Sequence, residues 1–178
     1  MKRLSIVFFV LALSACSSTQ ISYDMDKSVD FAKFKTYAFT PETSKIPIQE
    51  LNRNRLIAAT EKQLAARGFS KSENPDVLVD ILVKAKMKQE AVTTGTGGYG
   101  YGYRYGWGGG GGTTTTQIND YVEGTLFINM ISNEKLVWQG RAVKTLDENQ
   151  SPEKRERNIN YAVEDVFRKY PVLPSAKK

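Results

Sequence analysis

The stretch DVLVDILVKAKMKQEAV, residues 76–92, decides the fold of this chain. Val77 to Val83 form an apolar run that only Asp80 interrupts. A run that is apolar on both faces is typical of a strand near the middle of a sheet. Beyond Lys84 the stretch becomes amphipathic. The pattern therefore predicts one long strand from Asp76 to Val92.

A β-hairpin is predicted from Ile118 to Leu146, on the C-terminal side of that strand. In its first half, side chains alternate between an apolar face and a polar face. The apolar face carries Val122, Leu126, Ile128 and Met130, and the polar face carries Tyr121, Glu123, Thr125 and Asn129. Ser132-Asn133-Glu134 forms a short turn, and KLVWQGRAVKTL, residues 135–146, returns as the partner strand.

The N-terminal part of the chain supplies two more strands and a helix. Ile21–Asp24 and Phe34–Thr40 have strand patterns, and Pro41 ends the second. Good helix formers run from Pro47 to Arg67, and Gly68 follows at a position where helices commonly end.

A second helix is predicted near the C-terminus. Ser151 is suited to cap it, Pro152 suits its first position and Pro171 closes it. Its apolar stripe consists of Ile159, Ala162, Val163, Val166, Phe167 and Tyr170. The element order β β α β, insert, β β α predicts an α+β fold. We expect a mostly antiparallel sheet of about five strands with both helices packed on one face.

A long insert rich in glycine and aromatic residues, residues 93–117, separates the two central strands. Eleven of the chain's 14 glycines fall within residues 95–112, so ordering this segment is costly in backbone entropy. We therefore expect an insert that is flexible when free and able to order on a partner. In an extended chain its aromatic side chains share one face, suited to sugar rings, a membrane interface or a protein. The candidate binding residues are Tyr99, Tyr101, Tyr103, Arg104, Tyr105 and Trp107.

The N-terminus has the pattern of an export signal. Lys2 and Arg3 precede a ten-residue apolar stretch that is too short to span a bilayer, and small residues lead to the single cysteine, Cys16. Leu13-Ser14-Ala15-Cys16 resembles the lipobox of bacterial lipoproteins, which implies a diacylglyceryl group on the cysteine sulfur and an acylated new amino terminus. An ordinary signal peptide is the alternative.

These features predict three regions: a lipoprotein signal peptide (1–15), a lipidated tether (16–20) and one α+β domain (21–174). Ser17 follows the cysteine, whereas in the enterobacterial sorting pattern an aspartate there retains a lipoprotein in the inner membrane. By that resemblance we expect the outer membrane, with the domain on its periplasmic face; the inner membrane is the alternative. The lipid anchor makes the membrane itself a partner.

Composition bears on the possible chemistry. The chain has no histidine, which excludes Ser-His-Asp and Cys-His catalysis and the commonest zinc sites. Its formal charge of +6 falls to about +4 without the signal, and no basic helix suggests nucleic acid as a partner. We expect no enzymatic activity, no catalytic residues, no metal and no cofactor.

Carboxylates are the remaining candidates for catalysis, since a glycosidase needs two of them side by side. The candidates are Asp24, Asp26, Asp30, Asp76, Asp80 and Glu123, and solvated loop positions are the simpler interpretation. Asp80 interrupts an apolar strand. It is expected to face solvent or a helix cap, or to pair with Arg141.

Several short motifs occur in the order found in one known family. They are Tyr23-Asp24, Asp30-Phe31, FKTYA (34–38), LAARGF (64–69), PDVLV (75–79), EGTLFINMI (123–131) and LVWQGRA (136–142). Over residues 21–171 the chain resembles the domain-of-unknown-function (DUF) 4136 family. Its members are bacterial lipoproteins, and many carry a glycine- and aromatic-rich insert at this place. The family has no established activity, so the resemblance implies no catalytic residues.

The leading hypothesis is a non-enzymatic outer-membrane lipoprotein of the bacterial envelope. It presents a periplasmic surface to another envelope protein or to peptidoglycan. One alternative is a structural or stress-related lipoprotein with a dispensable loop. The other is a cell-wall hydrolase that depends on carboxylates.

Overall fold

The computed structural model describes residues 19–95, 114–147 and 149–174. In chain order the elements are β1 (Gln20–Met25), β2 (Thr36–Phe39), α1 (Glu50–Ala65), β3 (Ser70–Lys71), β4 (Val77–Gly95), β5 (Thr114–Ser132), β6 (Lys135–Leu146) and α2 (Pro152–Phe167). Two short 3₁₀ helices, Phe31–Lys33 and Pro41–Lys45, flank β2. The strands form one six-stranded sheet in the order β1-β6-β5-β4-β2-β3.

The sheet is mixed but mostly antiparallel, as predicted. β4 pairs antiparallel with β5, β5 with β6 and β6 with β1, whereas β2 lies parallel to both β4 and β3. β4 has a neighbour on each side, which confirms the central position indicated by its two-sided apolar run. The expected number of about five strands is not confirmed, because β3 has only two residues and is too short to show an alternating pattern.

Several predicted boundaries differ from the structure. α1 begins at Glu50, three residues after Pro47, and Gln20, assigned to the tether, already pairs with Val143 in β1. Strand pairing also continues into the predicted insert 93–117, with Gly95 opposite Thr114 as its last pair. Residues 1–18 and 96–113, with Cys16 and the predicted insert's aromatic residues, lie outside the described residues.

Both helices lie on the same side of the sheet. α2 crosses β6 so closely at Gly140 that an added Cβ there would meet the side chains of Val166 and Trp138. The core is continuous between this helical layer and the sheet, and its fully buried side chains include Leu64, Ile81, Ile128, Met130, Trp138, Val163 and Phe167. α1 and α2 are joined by Arg67, whose guanidinium donates a 2.7 Å hydrogen bond to the Phe167 carbonyl.

β4 and β5 extend beyond the rest of the sheet. The last pair between β5 and β6 is Val122 with Leu146. β4 and β5 remain paired beyond this point, from Met87 with Val122 to Gly95 with Thr114. We call this two-stranded part, Met87–Gly95 with Thr114–Val122, the ribbon. At about 3.4 Å per residue it projects about 27 Å from the sheet. No helix in the described residues is long and apolar enough to cross a membrane.

Candidate functional site

Both helices pack on one face of the sheet. In the described part of the chain, neither helix covers the opposite face of the sheet. We call this second side the open face and define it by Leu82, Lys84, Thr125, Phe127 and Arg141. Leu82, Phe127 and Arg141 lie opposite one another in register, so their side chains point to the same side. Leu82, Lys84 and Arg141 are exposed, and Phe127 is half-buried.

An aromatic ring between two cations lies at the centre of the open face. The Lys84 ammonium is 5.6 Å from the centroid of the Phe127 ring, and the Arg141 guanidinium carbon is 5.8 Å from it. Both distances fall within the range of a cation–π interaction, about 6 Å. The ring thus holds two positive charges on the same surface.

Around Phe127 the open face carries cations and no carboxylate, whereas Asp24, Asp80 and Glu123 lie farther out on the same side of the sheet. Lys86 continues the row begun by Lys84, and none of the ion pairs among the described residues involves Lys84, Lys86 or Arg141. Farther along, Lys88 donates to Glu123 at 2.7 Å, and this hydrogen bond raises the pKa of Lys88. Glu123 also lies directly opposite Lys86, so the part of the face suited to an anionic partner is its centre, around Lys84 and Arg141.

Asp80 lies on the same side of the sheet but belongs to a structural network. Its side chain is 9% exposed and accepts hydrogen bonds from the Thr40 hydroxyl (2.8 Å) and the Asn129 amide (3.2 Å). Gln139 in turn donates to the Asn129 amide oxygen at 2.8 Å. The prediction that Asp80 faces solvent was wrong, because its side chain is buried in this network. The pairing with Arg141 was also wrong, because the register places Arg141 opposite Phe127.

Asp80 is not paired with Glu123 or with Asp24. Asp80 lies opposite Asn129, six positions along β5 from Glu123, a separation of about 20 Å at the rise of a strand. Asp24 shares the row of Asp80 but lies three strands away, about 14 Å. Glycosidase carboxyl groups lie about 5–9.5 Å apart. These separations do not fit a glycosidase pair.

The remaining three candidates, Asp26, Asp30 and Asp76, have local structural roles. Asp26 accepts from Ser28, and Asp30 accepts from the backbone N–H of Ala32 at the start of a 3₁₀ helix. Asp76 accepts the backbone N–H groups of Lys35 and Thr36 at 2.8 and 2.9 Å, which lowers its pKa. No cluster of three or more His, Cys, Asp or Glu residues suited to a metal occurs in the described residues.

A second feature lies on the helix side of the sheet, at the base of the ribbon. It is a cavity of about 590 Å³ between the sheet and the N-terminal parts of both helices. We call it the helix-side pocket; its apolar walls include Ile48, Leu56, Val83, Leu126, Ala142 and Ile159. Thr19, which precedes β1, also lines it.

Polar side chains at the rim of this pocket bind one another. Lys144 donates to the Asn158 amide oxygen at 3.1 Å, and the Asn158 amide donates to Gln150 at 2.6 Å. Arg155 donates to Gln49 at 3.3 Å, which joins the first residues of α2 to the start of α1. The pocket therefore has an apolar interior and an internally bonded polar rim, the character of a site for an apolar ligand.

Sequence reasoning selected neither of these two surfaces. Its predicted binding residues, Tyr99, Tyr101, Tyr103, Arg104, Tyr105 and Trp107, and its lipidation site Cys16 all lie outside the described residues. Phe127 was a possible signal for the open face, because it is an aromatic residue among the polar residues of its strand face.

The architecture defines an α+β protein with two helices on one side of a six-stranded, mostly antiparallel sheet. The chain belongs to the family described as domain of unknown function (DUF4136), whose model matches residues 21–172. No curated protein is similar enough to count as a match.

Matches to this chain include two solved structures. One is a PDZ domain protein from Parabacteroides distasonis, with 17% identity and a TM-score of 0.54. The match covers 90% of this chain but only 38% of that one. The other is the PelC dodecamer from Paraburkholderia phytofirmans, with 10% identity and a TM-score of 0.45 over 84% of this chain and 95% of that one.

Proposed function

We propose that this protein is a non-enzymatic outer-membrane lipoprotein that binds another envelope protein or peptidoglycan on the periplasmic side. The observation that carries the proposal is the open face. It is broad, it is uncovered by the helices, and it combines an aromatic ring with three cations outside any described ion pair. Peptidoglycan offers sugar rings and carboxylates, and an acidic protein surface offers carboxylates alone. Both are chemically complementary to this face.

The N-terminal sequence supports the location. Cys16, in its lipobox-like context, is the proposed site of lipidation, and Ser17 favours the outer membrane. The sequence of the ribbon supports a wider contact area, because the strands of the open face continue without interruption into it. The aromatic residues predicted to bind a partner fall between the last described residues of these two strands.

Charge reversal on the open face tests the binding role. We expect Lys84→Glu combined with Arg141→Glu to reduce co-sedimentation with purified peptidoglycan sacculi, or capture of the cognate outer-membrane protein, at least tenfold. The matched control is Lys62→Glu with Lys169→Glu, which changes the net charge equally at exposed positions of the helical layer and its C-terminal end. Equal binding by both double variants would refute the role of the open face.

A second variant separates the predicted insert from the sheet. Because Gly95 and Thr114 form the last described pair, residues 96–113 can be replaced by Asn-Gly, a two-residue turn that closes a hairpin. If the aromatic residues bind the partner, this variant keeps its melting temperature and loses binding. Unchanged binding would exclude them and leave the open face as the contact surface.

A further inference from the structure

We propose that the helix-side pocket holds one of the acyl chains carried by Cys16 of the same polypeptide. This inference rests on the proposed lipidation of Cys16 and goes beyond the proposed function, because it assigns an intramolecular ligand to a cavity on the opposite side of the sheet from the open face. The ligand class is a long, linear hydrocarbon chain.

The position of Thr19 connects the anchor with the pocket. Thr19 lines the cavity, and Gln20 beside it is fixed in β1 by its pairing with Val143. Cys16 precedes Thr19 by three residues, and an extended chain of that length spans at most about 10 Å. An acyl group attached at Cys16 therefore starts within about 10 Å of the pocket wall, and no rearrangement of the domain is required to deliver it.

The chemistry of the pocket fits a hydrocarbon chain. Its volume of about 590 Å³ falls within the range of small-molecule sites, about 300–1,000 Å³. Its walls are aliphatic, from Val83 and Leu126 on the sheet to Ile159 on α2. The polar rim groups already bind one another, so they do not require a polar ligand.

The energetics favour occupancy. Moving an acyl chain from the bilayer to the pocket exchanges one apolar environment for another, whereas it removes the water that otherwise covers the pocket walls. The remaining two chains of a triacylated cysteine still suffice to hold the protein stably, because stable anchoring takes two hydrophobic attachments. Binding one chain in the pocket is therefore compatible with a firm anchor.

Photo-crosslinking in cells tests this assignment directly. We would introduce p-benzoyl-phenylalanine at Ile159, which lines the pocket, and as a control at Tyr161, which is 61% exposed on the same helix. The peptide that begins at Cys16 is then analysed by mass spectrometry. We expect it to be acylated and to be crosslinked through its acyl chain to position 159 but not to position 161.

The other outcomes separate the two proposals. If the Cys16 peptide is acylated but position 159 gives only phospholipid adducts, or none, the pocket assignment is overturned. The proposed anchor is then unaffected. A Cys16 peptide without acylation would overturn both the anchor and the assignment; the open-face charge reversals would still test partner binding independently.

A binding measurement adds a second test. The unlipidated Cys16→Ser chain has an empty pocket and is expected to bind the fluorescent fatty acid cis-parinaric acid. Adding Ala162→Trp places a large side chain in the pocket and should weaken binding at least tenfold, whereas Tyr161→Trp should leave it unchanged. Absence of binding by Cys16→Ser alone would overturn the inference even if Ala162→Trp fails to fold.

Discussion

Replacing Gly140 by alanine probes the close contact between α2 and the sheet. A Cβ at this position would meet the Val166 side chain and lie 2.6 and 3.0 Å from Cη2 and Cζ2 of Trp138. Carbon atoms pack best at about 3.5–4.0 Å, so the overlap is about 1 Å. Val166 and Trp138 are fully buried, and buried side chains are close-packed. The added methyl group must therefore displace α2 or force Trp138 from its rotamer.

The expected loss of stability follows from two opposing effects. Overpacking of a core costs about 1–3 kcal/mol, whereas replacing glycine by alanine restricts the unfolded chain and returns about 0.4–1 kcal/mol. We expect a net loss of about 1–2 kcal/mol, or a melting temperature lowered by about 2–8 °C for a domain of this size. Urea unfolding of the purified chain, followed by circular dichroism, measures the change in free energy.

Gly124 provides a matched control on the neighbouring strand. A Cβ there would lie 2.8–2.9 Å from three side-chain carbons of Leu146, but Leu146 is 44% exposed and can rotate away. Gly124→Ala should therefore change stability by less than about 0.5 kcal/mol. Val166→Ala should also partly rescue Gly140→Ala, with a coupling of about 0.5–3 kcal/mol in a double-mutant cycle. Equal stabilities of the two glycine variants, or no coupling, would refute this packing.

Three further substitutions test other parts of the fold. The Tyr170 hydroxyl is buried without a partner among the described residues, and burial raises its pKa. Because this tyrosine ionises in the unfolded chain above about pH 10, the wild type should lose stability as the pH rises beyond that value. Tyr170→Phe should be at least as stable as the wild type at pH 7 and should lose less stability in urea titrations at alkaline pH. Asn133 and Glu134 form the β5–β6 turn with φ of 49° and 60°, so Glu134→Gly should stabilise the chain by about 0.5–1 kcal/mol in thermal melts; a loss would contradict the turn geometry. Arg67→Ala removes the charged donor to the Phe167 carbonyl and should cost about 1.5–3 kcal/mol in urea, whereas a cost below about 0.5 kcal/mol would show that this bond does not join the helices.

The central strands were predictable because their side-chain pattern depends on burial alone. Val77, Val79 and Ile81 are buried under the helices, while Leu78 and Leu82 on the other face are 39% exposed. The apolar run thus located β4 correctly, but it did not reveal that one of its faces lacks a covering layer. That property depends on where the helices pack, and both pack on the side of Val77, Val79 and Ile81.

The parts that sequence reasoning missed depend on contacts between distant residues. The ribbon continues through Thr93 to Gly95 because each residue has a partner on β5, although threonine and glycine there suggested a loop. The helix-side pocket lies between segments far apart in sequence, from Ile48 to Ile159, so no local pattern indicates it. Asp80 was recognised as unusual, but its partners Thr40 and Asn129 follow only from the strand order.

The tether and the ribbon leave the domain at the same end, and this constrains how a lipid anchor would orient the molecule. Gln20 pairs with Val143, three residues before the base of the ribbon at Leu146. Even a fully extended chain takes Cys16 at most about 14 Å from Gln20, whereas the ribbon projects about 27 Å beyond its base. The ribbon therefore extends at least about 20 Å past the farthest position that Cys16 can reach.

With Cys16 anchored, a ribbon perpendicular to the bilayer would enter the hydrocarbon with unpaired strand edges and charged side chains, which is prohibitively costly. A ribbon that lies along the membrane surface or against a membrane protein avoids this cost, and this is the orientation we expect. Photo-crosslinking from Ile118, 66% exposed on the ribbon, should therefore give phospholipid or membrane-protein adducts. Leu173, which is 78% exposed and follows α2, should give none. The reverse pattern would show that the ribbon points away from the membrane and would refute this orientation.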